Sequence, residues 1–204
     1  IVESVNKAFD IAKVSSAIPH FSLPISSNIP RVLGLYDKRF EAVDVQDVVD
    51  VARRAVEAAE DYDQRVIAKT GIVSYQMGKR RVINSLGVDA EEKFTKSFIY
   101  LGGAGEDANE VTPSCDDYEL KRSADINPEV VGENVAKMVV AQFKPWGIES
   151  FEGTAVFEPA AVAYQLFDAL VGALRGDAVA TGRSAWANKI GEVVVSENLE
   201  ISDD

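Results

Sequence analysis

RVIAKTGIVSYQMGKRRVINSLGVDAEEKFTKSFIYLG, residues Arg65 to Gly102, is the stretch that decides the fold class. β-branched and aromatic residues alternate or cluster in three runs, Arg65 to Met77, Arg81 to Gly87 and Lys93 to Gly102. Val66, Ile67, Ile72, Val73 and Tyr75 mark the first run, Val82 and Ile83 the second, and Phe94, Phe98, Ile99 and Tyr100 the third. Gly78 and the segment Gly87 to Ala90 read as the turns between them. The expectation is an antiparallel meander of three strands, with Lys79, Arg80 and Arg81 as a solvated cluster beside a hairpin turn.

On either side of this stretch the period changes from two to that of a helix. Upstream, Val45, Val48, Val49, Ala52, Ala55, Val56 and Ala59 fall at three-and-four spacing, which predicts a helix over Asp44 to Asp61 with Asp44 and Asp47 at its N-terminal cap. Downstream, Gly102 to Asp117 is polar and glycine-rich and reads as a loop or hairpin tip. A second helix is predicted over Pro128 to Phe143, with Asn127 before the proline, a stripe of Val131, Val135, Met138, Val139 and Phe143, and a stop at Pro145 and Gly147. Helices packed on an antiparallel meander make the class α+β. A domain boundary is expected near Lys144 to Glu152.

At the N-terminal end, Phe9, Ile11, Ala12 and Val14 suggest the last turns of a helix, and Pro19, Pro24 and Pro30 with Ser26, Ser27 and Asn28 break Ala17 to Arg39 into extended or turn backbone. At the other end, Thr154 to Phe157 reads as a strand, and Pro159 opens a helix to about Leu174 that Gly176 ends. A formal charge of −12 and a pI near 4.6 oppose a phosphate backbone, so direct nucleic-acid binding is not expected. The single cysteine, Cys115, excludes an internal disulfide and fits a reducing cytoplasm. No apolar run reaches the roughly 18 residues that suggest a membrane span.

The segment Gly153 to Asp204, GTAVFEPAAVAYQLFDALVGALRGDAVATGRSAWANKIGEVVVSENLEISDD, resembles the TldD/PmbA family, metallopeptidases and their non-metal partner subunits. The resemblance runs nearly the whole length of the chain. It implies an N-terminal-type α+β domain over 1–147, lacking its beginning, and the start of a C-terminal domain over 148–204; the chain then reads as an internal fragment. In the metal-bearing members the helix carries His-Glu, three further residues and a second His. Aligned through Leu174-Arg175-Gly176-Asp177, those three positions are Phe167, Asp168 and Gly172 here. An imidazole can hold zinc and a glutamate can act as general base, whereas Phe and Gly can do neither. Two histidines five apart lie about 140° apart on an ideal helix, so the catalytic relatives need a bulged helix while this sequence shows no reason for one.

The resemblance therefore implies a PmbA-like (TldE-like) subunit with no metal of its own and zinc only in a TldD-like partner. Its expected role is in processing or degrading small or unfolded peptides, and older family naming adds modulation of DNA gyrase. Peptide substrate, a TldD-like subunit and a homodimer are the expected partners. Asp168 is the one candidate for a catalytic role, and Arg183, Ser184 and Trp186 are candidates for a substrate or partner groove. Two other readings stay open: a metal-dependent peptidase with non-standard ligands, and a non-enzymatic scaffold or interaction module.

Other motifs carry less chemistry. Gly102-Gly103-Ala104-Gly105 resembles a phosphate loop, but Glu106 and Asp107 follow it and no Lys-Ser/Thr ending exists. Glu106, Asp107, Glu110, Asp116 and Asp117 lack the alternate spacing of a calcium loop. Cys115 with His20 can be drawn as a thiol dyad, although nothing in the sequence brings them together.

Overall fold

The structure, a computed structural model, describes residues 2–17, 21–25, 32–147 and 149–201. These divide into two compact units. One comprises Pro24–Glu149, and the other the described residues of Ile1–Leu23 and Ser150–Asp204.

The Pro24–Glu149 unit is two layers, an antiparallel sheet with two helices on one face. Strands β1 (Val66–Ile83), β2 (Asp89–Gly105) and β3 (Cys115–Lys121) lie in the order β1-β2-β3. The fold class is the α+β meander expected, but its strands are divided differently. Two of the predicted strands are a single one, because Gly78 continues β1 and pairs with Phe94. The Phe94 ring lies over Gly78, 2.8 Å from where a Cβ would stand, so this glycine makes room for a cross-strand ring where a turn was expected. Lys79, Arg80 and Arg81 are exposed beside the hairpin turn, as expected, but they belong to the end of β1 and pair across to Glu91 at 2.7 Å, Glu92 at 3.6 Å and Asp89 at 2.7 Å. The hairpin turn sits at 84–88, where the Asn84 side-chain oxygen accepts from the Leu86 and Val88 amides and Gly87 takes φ +88°. The third strand, β3, lies beyond the predicted meander, and the predicted loop over Gly102 to Asp117 shrinks to the few residues between β2 and β3.

Helix α1 (Val2–Val14) belongs to the other unit. Helix α2 (Val45–Tyr62) opens on the expected cap: the Asp44 carboxylate accepts from the Asp47 amide and the Asp47 carboxylate from the Asp44 amide, both at 2.9 Å. Helix α3 (Pro128–Val140) starts with Pro128 at its first turn, and the preceding Asn127 amide donates to Glu119 on β3 at 2.7 Å. The core lies between these helices and the sheet, built from Ala55 and Ala59 of α2, Val66, Ile99 and Leu101 of the sheet, and Val131, Val135, Ala136 and Val139 of α3. Small residues set the helix spacing. Gly132 of α3 faces the Ala55 carbonyl and the Ala58 methyl so closely that any side chain there would overlap them.

The inner face of distal β2 carries hydroxyls that bind the chain's irregular segments. Thr95 accepts from the Asp37 amide through Oγ1 and donates to the Arg122 carbonyl, its own amide donates to the Leu35 carbonyl, and Ser97 donates to the Ser123 carbonyl. Both side chains are fully buried and fully satisfied, which removes the usual penalty for burying a hydroxyl.

Three expectations for the other unit change. Thr154 to Phe157 forms no strand. The helix from Pro159 is present, but its middle is a π segment, Val162–Phe167, between α segments Pro159–Ala161 and Asp168–Leu174. The distortion for which the sequence showed no reason is thus built in. Gly176 does not cap the helix: Arg175, with ψ 125°, breaks it, and Gly176 begins a short helix, Gly176–Ala180.

Candidate functional site

The helix 159–174 and the turn after it hold the residues singled out by sequence. Phe167 closes the π segment and is half exposed, Asp168 follows it exposed, and a Cβ on Gly172 would meet nothing. Between Phe167 and Gly172 the backbone is α-helical, so the two positions stay about 140° apart around the axis. The π segment lies just before them and does not turn one toward the other. A phenyl ring, a carboxylate and a hydrogen give no set of donors for zinc, so the residues present do not fit the metal that the resemblance places on this helix. Among the described residues, no three His, Cys, Asp or Glu side chains gather in a way that could hold a metal ion.

The turn that follows is locked onto the end of this helix. Gly182 takes φ +69°, a conformation glycine adopts without strain, and so reverses the chain. Arg183 donates through Nε to Thr181 at 2.9 Å and through its terminal nitrogen to Asp177 at 2.9 Å. Arg175 donates to the same Asp177 at 3.0 Å, and these contacts, Arg175 foremost, hold the Asp177 carboxyl below the usual carboxylate range. Ser184 donates to the Ala173 carbonyl at 2.6 Å and accepts from the Trp186 amide at 3.0 Å, and the Trp186 side chain is half-buried. The structure thus brings Arg183, Ser184 and Trp186 together with the helix end, and the polar groups of the first two are engaged in closing the turn.

The remaining candidates separate. Gly102 to Gly105 are buried strand residues, with Gly103 against Val135 of α3, Gly105 against Phe143 and Val139, and Gly102 under the Tyr100 side chain, so they form neither a phosphate loop nor a hairpin tip. Asp107 accepts from the Asn109 and Glu110 amides and Glu110 from the Lys144 amide, while Asp116 and Asp117 point to opposite faces of β3. Cys115 is half-buried against Gln142, and burial pushes its thiol up, away from the reactive thiolate. Its suggested partner His20 lies outside the described residues. A feature the sequence did not disclose is a groove of about 660 Å³ where Val32, Leu33 and Tyr36 face Arg80, Val82 and Lys93 of the distal hairpin. No described helix is long and apolar enough to cross a membrane.

Comparison with known proteins gives this arrangement a lineage. Residues 38–143 match the PmbA/TldA metallopeptidase central domain, and residues 151–204 match the PmbA/TldA metallopeptidase C-terminal domain. The chain is 30% identical over 145 residues to an uncharacterized protein of Methanocaldococcus jannaschii, a span of 70% of this chain and 32% of that protein. Among solved structures it is similar to a proposed modulator of a DNA gyrase from Thermotoga maritima, with 25% identity, a TM-score of 0.71, and coverage of 92% of this chain and 43% of that one. It shares the fold of TldE from Thermococcus kodakarensis, at 19% identity and a TM-score of 0.69, with 92% and 42% of the two chains covered. A proposed modulator of DNA gyrase from Bacteroides thetaiotaomicron gives 22% identity and a TM-score of 0.75, covering 93% and 44%. The chain spans about a third of the curated relative and less than half of each of these structures. With more than half of its residues matching the central-domain model and the next segment matching the C-terminal one, the chain belongs to the PmbA/TldA metallopeptidase family.

Proposed function

We propose that this chain is part of a PmbA-like (TldE-like) subunit, the half of a TldD/PmbA-type peptidase that carries no metal. The observation that carries the reading is the set Phe167, Asp168 and Gly172 where the metal-bearing members place His, Glu and His. A side chain without a lone pair cannot be a ligand, and a glycine offers no side chain at all. The proposed role is to shape and guide: the subunit joins a TldD-like chain in the cytoplasm, presents small or unfolded peptides to that chain's zinc, and breaks no bond itself. Family membership and the fold shared with the Thermococcus TldE support this reading.

Asp168 is exposed and lies inside the continuous helix 159–174, at the first residue after the π segment. Cleavage of an unstructured peptide by the full-length protein, alone and mixed with a TldD-like relative, tests the reading. Activity is expected in the mixture only and is expected to survive Asp168→Ala. Cleavage by the protein alone, abolished by that substitution, would overturn it.

A further inference from the structure

Beyond the end of α3 the backbone takes a conformation that its own sequence opposes. Lys144 has φ +56°, in the left-handed region, and stands shortly before the boundary of the Pro24–Glu149 unit. A Cβ makes that region costly for lysine, and the ring of Pro145 pushes the residue before it toward extended backbone. One contact holds Lys144 against both preferences: its amide donates to the two carboxylate oxygens of Glu110, each at 3.2 Å.

Both sides of this contact are fixed. Before it, the Phe143 ring lies over Gly105, and the Arg65 guanidinium, itself paired with Asp63 at 2.7 Å, stacks on that ring at 4.2 Å. Across from it, Glu110 belongs to a tight turn, its amide donating to the Asp107 carboxylate at 3.1 Å and its carbonyl accepting from the Asp107 amide at 3.0 Å. After it, nothing comparable restrains the chain. Trp146 is 85% exposed and Val111, on the facing connection, 67%, and a cleft of about 410 Å³ lies where these two segments meet. Among the described residues, 144–147 make no hydrogen bond besides those to Glu110.

We propose that Lys144 is a two-position hinge and that Glu110 is its latch. Latched, the left-handed residue bends the chain off the end of α3. Released, Lys144 moves to the extended backbone that a residue before proline favours, with φ near about −120°, and the chain leaves in another direction. Strained residues persist only where their surroundings hold them, and hinges are the few positions that absorb a large dihedral change. Lys144 meets both conditions, with rigid anchors on either side and a single carboxylate holding the strained residue between them. The proposal is independent of the peptidase reading, because it needs only the exit from this unit.

Chymotryptic cleavage after Trp146 in the full-length protein tests it, since a protease cuts the open state and its rate follows the population of that state. Glu110→Ala should speed the cut at least about tenfold with an unchanged thermal midpoint. Lys144→Gly should slow it below the natural rate, because glycine takes positive φ without strain and so favours the latched position. Hydrogen exchange read by mass spectrometry should rise in Glu110→Ala at the peptide holding Lys144 and stay unchanged in α3 and β2. A Glu110→Ala rate equal to the natural one, a Lys144→Gly rate above it, or faster exchange spreading through α3 would each overturn the proposal.

Discussion

Asp37 is the residue on which most of the irregular backbone converges. Its carboxylate accepts from the Arg39 amide and guanidinium and from the Ala124 amide, and so fastens the turn before α2 to the segment that follows β3. The Arg39 side chain first, then the Arg39 and Ala124 amides, hold this carboxyl far below the usual range, and Arg65 holds Asp63 down to about 2 in the same way. A carboxyl whose folded pKa is depressed stabilises the fold at every pH above its unfolded value, and that contribution disappears as pH falls through the folded value. Stability should therefore decline between about pH 4 and about pH 2, as the unfolded chain takes up protons that the folded one refuses. Urea unfolding across this range is expected to show a shallower decline for Asp37→Asn than for the natural protein. An unchanged slope would mean that Asp37 is no tighter in the fold than in the unfolded chain. None of this was legible in the sequence, where Asp37 is one acidic residue among 33 Asp and Glu. Arg39 is only two residues on, but Ala124 lies far along the chain and only the fold brings it near.

At the scale of elements, local chemistry was legible and pairing was not. The Asp44 cap and the alanine-valine stripe of α2 need only neighbours in sequence, so the sequence disclosed both the helix and its start. Gly78 shows the opposite case. A glycine followed by three cations reads as a turn until the strand across from it supplies Phe94 to cover the glycine and Glu91, Glu92 and Asp89 to neutralise the cations. The same holds for β3, whose charged Asp117 and Glu119 face α3 and accept from Asn134 and Asn127, while Tyr118 and Leu120 lie on the opposite face. The contact between α2 and α3 gives the sharpest test at this scale. Gly132 meets the α2 backbone with no space for a methyl group, and backbone yields less than a side chain does. Gly132→Ala should destabilise the protein by about 1–3 kcal/mol, the usual cost of overpacking, despite alanine's better helix propensity. A denaturation midpoint equal to or above that of the natural protein would show that the helices separate without cost.

For the whole molecule, the candidate site was legible in its chemistry and illegible in its geometry. Residue identities alone carry the proposed distinction from the metal-bearing members, because Phe167 and Gly172 offer zinc no side-chain donor wherever the helix places them. The π segment at Val162–Phe167 was not foreseen, since nothing in an apolar helix announces an extra residue in one turn. Its position immediately before the altered site means that the helix keeps a distortion of the kind often found at functional sites, while the side chains that zinc requires are absent. Arg183 and Ser184, read as candidates for a groove, hold the helix end and the turn together through Asp177 and the Ala173 carbonyl.

Metal analysis of the purified full-length protein, alone and as the isolated complex with a TldD-like chain, addresses the central claim most directly. The account predicts zinc well below stoichiometric in the protein alone and stoichiometric with the TldD-like chain in the complex. Stoichiometric zinc in the protein alone, retained through dialysis, would contradict it and would require ligands other than those at 167, 168 and 172.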